Sequence, residues 1–477
     1  MNMRFAPIIL LVFSSFFCAA AALFFAIESF REKEPRAPWI GLGGVIFFAA
    51  IAEIIYMFPV TQPFIFLLFL LIGLIFIIFL IPTAPNLKAI EGAKGYAVAH
   101  VSRFDERDIV FSRNRSLRPS SKEYRAYYSL HPEKEATDAR RRSKGGPVGR
   151  IGDIDNGYPP NVAMIEACFQ IPTIFGNHID ATLPKGGPLH PLDLQKASTI
   201  IKGFAAHLGS DLVGICRVNP EWGYSHRGEI FYDNWNDWGK ELDSPLPFAV
   251  VIATEMEHEM VGAGPHTPAL MESAKNYAKG SFIATTLSRW FISMGYRAVP
   301  EHSRHYDLNM VPLAIDAGLG ELGRFGYLIT DRFGPRVRLF AVITDMPLTT
   351  DKPSDLGVDG FCRRCRKCAD SCPSKSIPHG EKAVINGIEK WKINEETCFD
   401  YWAKVGTDCS ICMGICPFSR PCSPIHRLAR WMIRRSSPTQ MVFPYIDNLI
   451  YGKRWKPRPV SEWINYRSVI THPGTGE

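Results

Sequence analysis

Residues 362–373 read CRRCRKCADSCP, and residues 409–417 read CSICMGICP. Thiols this closely spaced constrain the chain more tightly than any hydrophobic pattern, because the loops between them must aim several sulfur atoms at one point. The first group has C-x2-C-x2-C-x3-C-P spacing, the run of bacterial [4Fe-4S] ferredoxins, in which three thiolates hold one cube and the fourth reaches a different cluster. The second consists of Cys409, Cys412 and Cys416 followed by Pro417, with Cys398 upstream. Eight such thiolates suit two cubane clusters with crossed ligation: Cys362, Cys365, Cys368 and Cys416 on one, Cys372, Cys398, Cys409 and Cys412 on the other. Cys398 depends on a longer loop than the rest. Four-cysteine zinc sites are disfavoured, since ligands at this spacing crowd a tetrahedral ion. Of the remaining cysteines, Cys18 falls in an apolar run, while Cys168, Cys216 and Cys422 are isolated and read as buried small hydrophobes.

The N-terminal end is of a different kind. No charge interrupts Phe5 to Ile27, and further apolar runs cover Trp39 to Phe58 and Phe64 to Ile81. Each is long enough to cross a bilayer as a helix, and the PVTQP between the last two suits a tight turn. A cleaved signal peptide would leave one short apolar stretch rather than three. The loop ESFREKEPRAPW carries Arg31, Lys33 and Arg36, and Lys88, Lys94, Arg103 and Arg107 follow the third run, whereas the intervening loop has no charge. The positive-inside rule therefore predicts that the first loop and everything after residue 85 face the cytoplasm, a placement that also disfavours disulfides. No twin-arginine pair precedes the first run, so export of a folded, cofactor-loaded domain is not expected. Glu53 is the one carboxylate inside the runs and reads as snorkelling to the interface rather than as a proton or quinone site. No histidine precedes His100, which excludes haem held by paired histidines in the anchor.

The 477 residues are 46% hydrophobic and 21% charged, enough for more than one core. The net charge of +7 is scattered, with no Lys/Arg stripe interleaved with aromatics, so nucleic acid is not an expected partner. DARRRSKGG (138–146) reads as a solvated or lipid-facing loop. HRLARWMIRRSS (426–437) suits an interfacial helix, or packing on the cysteine module. Between anchor and cysteines, IIKGFAAHLGSDLVGICRV reads as a helix then a strand, PFAVVIATEME as a strand, and AKGSFIATTLSRWFISMGYRAVP as an amphipathic helix leading to a strand. Alternation of this kind argues a sheet layered with helices. Next comes VPLAIDAGLGELGRFGYLITDRFGPRVRLFAVITDMPL, which packs Gly318, Gly320, Gly323 and Gly326 into nine residues. Such glycines let backbone approach a large flat or anionic ligand. A dinucleotide-binding turn fits poorly, because VPLAIDA looks helical where a strand is required.

Taken in order over roughly 100–425, the stretches RFDERDIVFSR, YRAYYSLHPE, GSDLVGICRVNP, AGLGELGRFGYLIT, GPRVRLFAVITDMPL, FCRRCRKCADSCPSKSI and CSICMGICPF resemble the catalytic subunit of corrinoid-dependent reductive dehalogenases. After the three transmembrane helices read from the apolar runs, the resemblance implies a nitroreductase-like cobalamin-binding α/β domain and then a ferredoxin-like two-cluster module, an α+β architecture overall. It divides the chain into a membrane anchor (1–87), an extension of the catalytic part (88–195), the corrinoid-binding catalytic domain (196–355), the 2[4Fe-4S] domain (356–425) and a tail (426–477). Many family members pair with a separate small membrane protein, whereas here the apolar runs are fused to the catalytic part. The implied reaction removes halide from an organohalide by cob(I)alamin chemistry. The cobalamin is bound base-off, and electrons come from an external low-potential donor, such as a ferredoxin or flavodoxin, through the two clusters. A cytoplasmic enzyme suggests catabolism, which puts haloaromatics first among substrates.

The resemblance also implies a tyrosine proton donor with a neighbouring cation that stabilises its phenolate. Tyr277 in ESAKNYAKGS, placed just before the long helix, is the expected donor, Arg324 of GELGR the expected cation, and Tyr306 the reserve donor. Gly318, Gly320, Gly323, Phe325 and Gly326 are the expected corrinoid contacts. His302 and His305 are expected in an exposed loop rather than on cobalt. Two other readings stand beside this one. An epoxyqueuosine reductase shares the corrinoid and cluster pairing, but should be soluble, use a carboxylate acid and present a basic tRNA surface. A membrane-anchored ferredoxin-type electron carrier would leave the middle of the chain and its glycines unexplained.

Overall fold

The structure is a computed structural model that describes residues 5–143, 159–176, 189–230 and 235–465. The chain separates into two compact units: Met1–Pro85, Leu356–Cys365 and Arg420–Trp455 form one, and Asn86–Asp355, Arg366–Ser419 and Lys456–Glu477 the other. Three long helices open the chain, α1 (Phe5–Arg31), α2 (Ala37–Met57) and α3 (Gln62–Leu80). The second unit continues with α4 (Val110–Ser116), α5 (Pro132–Ser143), α6 (Leu194–His207), β1 (Leu212–Arg217) and β2 (Phe248–Glu255). It goes on with α7 (Thr267–Ser293), β3 (Ala298–Glu301), α8 (Met310–Asp316) and β4 (Val337–Thr344). Of the later helices, α9 (Val358–Arg364), α13 (Pro424–Arg435) and α14 (Ser437–Tyr451) belong to the first unit, and α10 (Lys367–Ser371), α11 (Glu395–Val405) and α12 (Ile411–Ile415) to the second.

In the first unit, Ile8–Arg31, Ala37–Met57 and Pro59–Leu80 are long and apolar enough to cross a membrane, with mean hydropathies of 2.6, 2.1 and 3.2. A helix satisfies its own backbone, which is why such sequences adopt it in hydrocarbon. Small residues bring α1 and α2 together: a Cβ on Gly41 would stand 2.8 Å from that of Ala26, the close approach that membrane helices use in place of a hydrophobic driving force. The α1–α2 loop is tied to the C-terminal helices by buried pairs, Glu34 to Arg420 at 2.8 Å and Glu32 to His426 at 2.9 Å. Cys422 is exposed in this unit, contrary to its expected burial, since it falls in the connection that precedes α13 rather than on a packed face.

The second unit is built on an antiparallel sheet of order β1–β2–β4–β3. Along each strand the side chains alternate between faces. Val250, Ile252, Phe340 and Val342 meet Ile201 of α6 and Ile283, Leu287 and Phe291 of α7. Ala249, Val251, Ala341 and Ile343 meet Leu313, Ala314 and Ile315 of α8 on the other face. Burial on both faces explains the unbroken apolar run of PFAVVIATEME.

Helix α7 starts at Thr267, so Tyr277 lies inside it rather than before it. Pro268 suits the first turn, and ALMESAK is rich in helix formers. One turn past Tyr277, Gly280 lets the helix close on the sheet, where a Cβ would fall 2.0 Å from the Phe340 ring. Gly280→Ala is therefore expected to destabilise this unit by about 1–3 kcal/mol, as overpacked cores do. An unchanged melting temperature would show that the contact can relax.

Two more expectations are corrected. The basic run at 138–143 is helical rather than a loop and turns one face inward: Arg141 is buried and pairs with Asp138 (2.6 Å), Glu396 (2.7 Å) and Asp400 (2.8 Å), while Ala139, Arg140 and Ser143 stay exposed. Carboxylates on α11 draw it in; residues 144–146 lie outside the described segments. His302 is buried too, not exposed, because it pairs with His305 across a tight bridge. Burial, with His305 and Arg304 nearby, pushes its imidazole down to about 3, so it stays neutral.

Candidate functional site

Two five-residue helices repeat one local design. Helix α10 carries Cys368 and ends at Cys372, and α12 carries Cys412 and ends at Cys416, each end extended in backbone conformation. The proline after each terminal cysteine enforces that exit, because a residue before proline is pushed away from helix. The two helices pack on each other. Cys398 arrives from α11, a helix capped by Asn394 and gripped from outside by Arg113 and Arg141, which pair with Glu396, Arg141 reaching Asp400 as well. Cys409 and Ser410 both adopt left-handed backbone, φ 64° and 55°. That conformation costs a non-glycine residue about 1–2 kcal/mol, and cost of this kind concentrates at functional sites.

The result is one cavity of about 40 Å³ in the second unit whose wall includes Cys372, Cys398, Cys409 and Cys412. Sequence reasoning grouped the same four as one ligand set. Burial, with Cys372 beside it, pushes the Cys398 thiol up to about 11. Burial also raises Cys412, and so do Cys409, Cys398, Cys368 and Cys372 around it. Four thiols on the wall of one cavity suit a metal centre able to accept their charge as thiolates. Among the described residues, no three His, Cys, Asp or Glu side chains could hold a single metal ion, whereas a cube spreads its ligands over separate iron atoms. Of the other four thiols, Cys362 and Cys365 belong to the first unit and Cys368 and Cys416 to the second; all four are buried.

Phe325, Tyr327, Arg338, Ile393, Asp408 and Met413 complete much of the cavity wall. Arg338 extends the site to α7. Its guanidinium stands 5.2 Å from the centre of the Tyr277 ring, and its Nη2 donates to Ser273 Oγ at 2.5 Å and to Asp408 Oδ2 at 2.7 Å. Ser273 and Tyr277 are four residues apart on α7 and so share a face. Burial works against the charge of Arg338, but Tyr277, Asp408 and Tyr327 hold its pKa above the usual guanidinium value. Its Nε–H is buried with no hydrogen-bond partner among the described residues. The Tyr277 ring also packs near Phe169 and Phe340, and its hydroxyl makes no hydrogen bond among the described residues.

The other expected residues lie differently. The cation at Tyr277 is Arg338 rather than Arg324, which is buried, donates to the carbonyls of Pro378 and Gly380 at 2.9 Å each, and faces the Trp391 ring at 4.6 Å. Tyr306 donates to Glu229, and burial, then Glu229 and Glu106, hold its phenol well above the ordinary range. Gly318, Gly320 and Gly323 are close to their own chain: a Cβ would meet Lys352 O at 2.4 Å, Ile329 O at 2.2 Å and Ile329 Cδ1 at 2.7 Å. Gly326, at φ 80°, turns the chain beside Ile393, and Phe325 reaches the cavity. Arg338, Asp408 and Ser273 were missed from sequence. The available signal was Arg338 itself, a charge in the otherwise apolar strand VRLFAVIT, since a buried charge requires partners.

A 4Fe-4S dicluster domain is matched over residues 361–419. The tetrachloroethene reductive dehalogenase of Sulfurospirillum multivorans is 32% identical over 295 residues, 56% of this chain and 57% of that protein. The corresponding enzyme of Desulfitobacterium hafniense is 31% identical over 280 residues, half of each chain. The chain thus spans about half the length of the curated relatives it matches. Among solved structures, the catabolic reductive dehalogenase NpRdhA shares the fold, with a TM-score of 0.61 and 24% identity over 78% of this chain and 49% of that one. Structures of that fold include a complex with 3-bromo-4-hydroxybenzoic acid, and one described in terms of B12-dependent dehalogenation, each with a TM-score of 0.59. By sequence and by fold, this chain is related to the reductive dehalogenases.

Proposed function

We propose that the protein is a membrane-anchored reductive dehalogenase in which a corrinoid and two [4Fe-4S] clusters work beside Tyr277. The observation that carries this reading is that Arg338 both lines the four-cysteine cavity and covers the Tyr277 ring. Residues 196–355 form the corrinoid-binding domain, read as nitroreductase-like, and 356–425 the cluster domain. Residues 88–195 extend the former, and 426–477 follow the latter. The aromatic and apolar wall of Phe325, Tyr327 and Ile393 would hold an edge of the macrocycle. When bound, a corrinoid supplies the reducing power that breaks a carbon–halogen bond.

The chain supplies the rest. Cys372, Cys398, Cys409 and Cys412 hold one cluster, and Cys362, Cys365, Cys368 and Cys416 the other. Tyr277 gives its Oη proton to the carbon that loses halide. Arg338 stabilises the phenolate left behind, its spare Nε–H and charge both favouring the anion, while Asp408 and Ser273 fix its position. The substrate is an organohalide with halogen on an sp2 carbon, with haloaromatics first. Tetrachloroethene in the relatives' names and the bromohydroxybenzoate bound in a neighbour's complex share that bonding and support this choice. An external low-potential donor supplies the electrons. The catalytic part faces the cytoplasm, as the positive charges flanking the apolar runs favour; a reporter fused after Glu477 and active only outside the cytoplasm would reverse that orientation.

The test is an anaerobic preparation supplied with corrinoid, assayed for cobalt, iron and acid-labile sulfide. About one cobalt and about eight irons per chain are expected, as two cubanes require. Eight irons without cobalt would leave an anchored electron carrier and remove Tyr277 from any catalytic role.

A further inference from the structure

Helices α13 and α14 of the first unit present an apolar face that the fold leaves open. On α14, Met441, Val442, Tyr445 and Leu449 recur at turn spacing and are exposed, Tyr445 by 71% and Leu449 by 63%. On α13, Leu428 and Trp431 are exposed by 50% and 43%. Arg427, Arg434 and Arg435 are exposed alongside them, and Arg435 stacks over the Trp431 ring at 5.0 Å. Large exposed apolar side chains recurring on two helices that touch, with cations beside them, mark an interaction surface rather than a water-facing one.

What covers it follows from where the pair is fastened. Thr439 Oγ1 donates to the Phe79 carbonyl at 2.9 Å, in the last turn of α3. The Thr83 N–H, just beyond α3, donates to the Arg435 carbonyl at 2.9 Å, and its hydroxyl to the same carbonyl at 3.3 Å. Arg420 and His426 hold Glu34 and Glu32 of the α1–α2 loop, and Arg420 also faces the Tyr451 ring at 3.9 Å. The α1–α2 loop and the C-terminal end of α3 fall on one side of an alternating three-helix bundle. The α13–α14 pair is therefore tied at two points to the level where the apolar helices end. A span of 22 residues with mean hydropathy 3.2 ends where hydrocarbon gives way to headgroups.

We propose that α13 and α14 lie in the membrane interface as a second, non-spanning contact. Leu428, Trp431, Met441, Val442, Tyr445 and Leu449 enter the acyl boundary. Arg427, Arg434 and Arg435 meet anionic lipid headgroups. Trp431 and Tyr445 are side chains that favour this depth, and a basic amphipathic helix binds it through buried apolar area together with attraction to anionic lipid. This inference rests on the reading of α1–α3 as membrane spans.

The test places a photoreactive benzophenone amino acid, one position at a time, at Trp431, Tyr445 and Leu449 of the full chain in phosphatidylglycerol-containing vesicles. Leu67 on α3 serves as the spanning control and Leu130, exposed by 77%, as the solvent control. Lipid adducts at 431, 445, 449 and 67, and none at 130, are expected. Lipid adducts at 67 alone, or protein adducts at 445 and 449, would overturn the proposal while leaving the spans intact. Loss of the adduct at 67 as well would overturn both.

Discussion

Tyr277→Phe is expected to lower kcat for dehalogenation on the order of 10²–10⁴-fold, the usual contribution of a positioned general acid. Cobalt, iron and sulfide contents should stay at wild-type values. The change removes one hydroxyl that makes no hydrogen bond among the described residues, and it keeps the ring that packs near Phe340 and under Arg338. Folding therefore has little reason to respond. Arg338→Gln should also slow turnover, but with a different signature. Loss of the cation leaves the forming phenolate unsupported, so the rate deficit should grow as the substrate's leaving group improves and proton transfer comes to limit turnover, and shrink as pH falls and solvent competes as the proton source. Full activity in Tyr277→Phe would remove the tyrosine from the chemistry. A rate deficit in Arg338→Gln that ignores both variables would reduce Arg338 to a packing role. Tyr306 is the poorer donor on physical grounds, because its proton is already engaged by Glu229.

The second large effect concerns the metal. Cys412→Ala should reduce iron from about eight to about four atoms per chain, the loss of one cube, and abolish turnover. Cys216→Ala is the matched control, since Cys216 is buried in the sheet core with its thiol directed at the Leu313 carbonyl at 3.6 Å. It should leave the iron content unchanged. Retention of all eight irons by the Cys412 variant would dissolve the ligand grouping of Cys372, Cys398, Cys409 and Cys412.

What the sequence made legible was what its local spacing encodes. Cysteines two or three residues apart and apolar runs of membrane length state their geometry within a few turns of chain, and strands PFAVVIATEME and VRLFAVIT do so by composition. The pairing of Tyr277 with Arg338 is not of that kind. It depends on α7 crossing β4 at a distance that Gly280 permits, which no window of sequence contains. Arg324 was the wrong cation because proximity in a glycine-rich stretch says nothing about where a side chain reaches; Trp391 and two carbonyls hold it. The glycines were read as space for a ligand; at three of the four, a Cβ would meet the protein's own chain. A tertiary contact also overrode the polarity of DARRR at one position: Arg140 is exposed as read, but carboxylates 250 and more positions later claim Arg141.

That last contact sets a clock. Arg141 is separated from Asp400 by 259 positions. At about 5–20 residues per second of synthesis, its segment emerges on the order of ten to fifty seconds before its partner exists. Until then the arginine has no interior to enter, and α11, which delivers Cys398, has no brace. The cavity that gathers four thiols therefore cannot close until synthesis has passed Met413, the last residue of its wall, and its metal must arrive after that point.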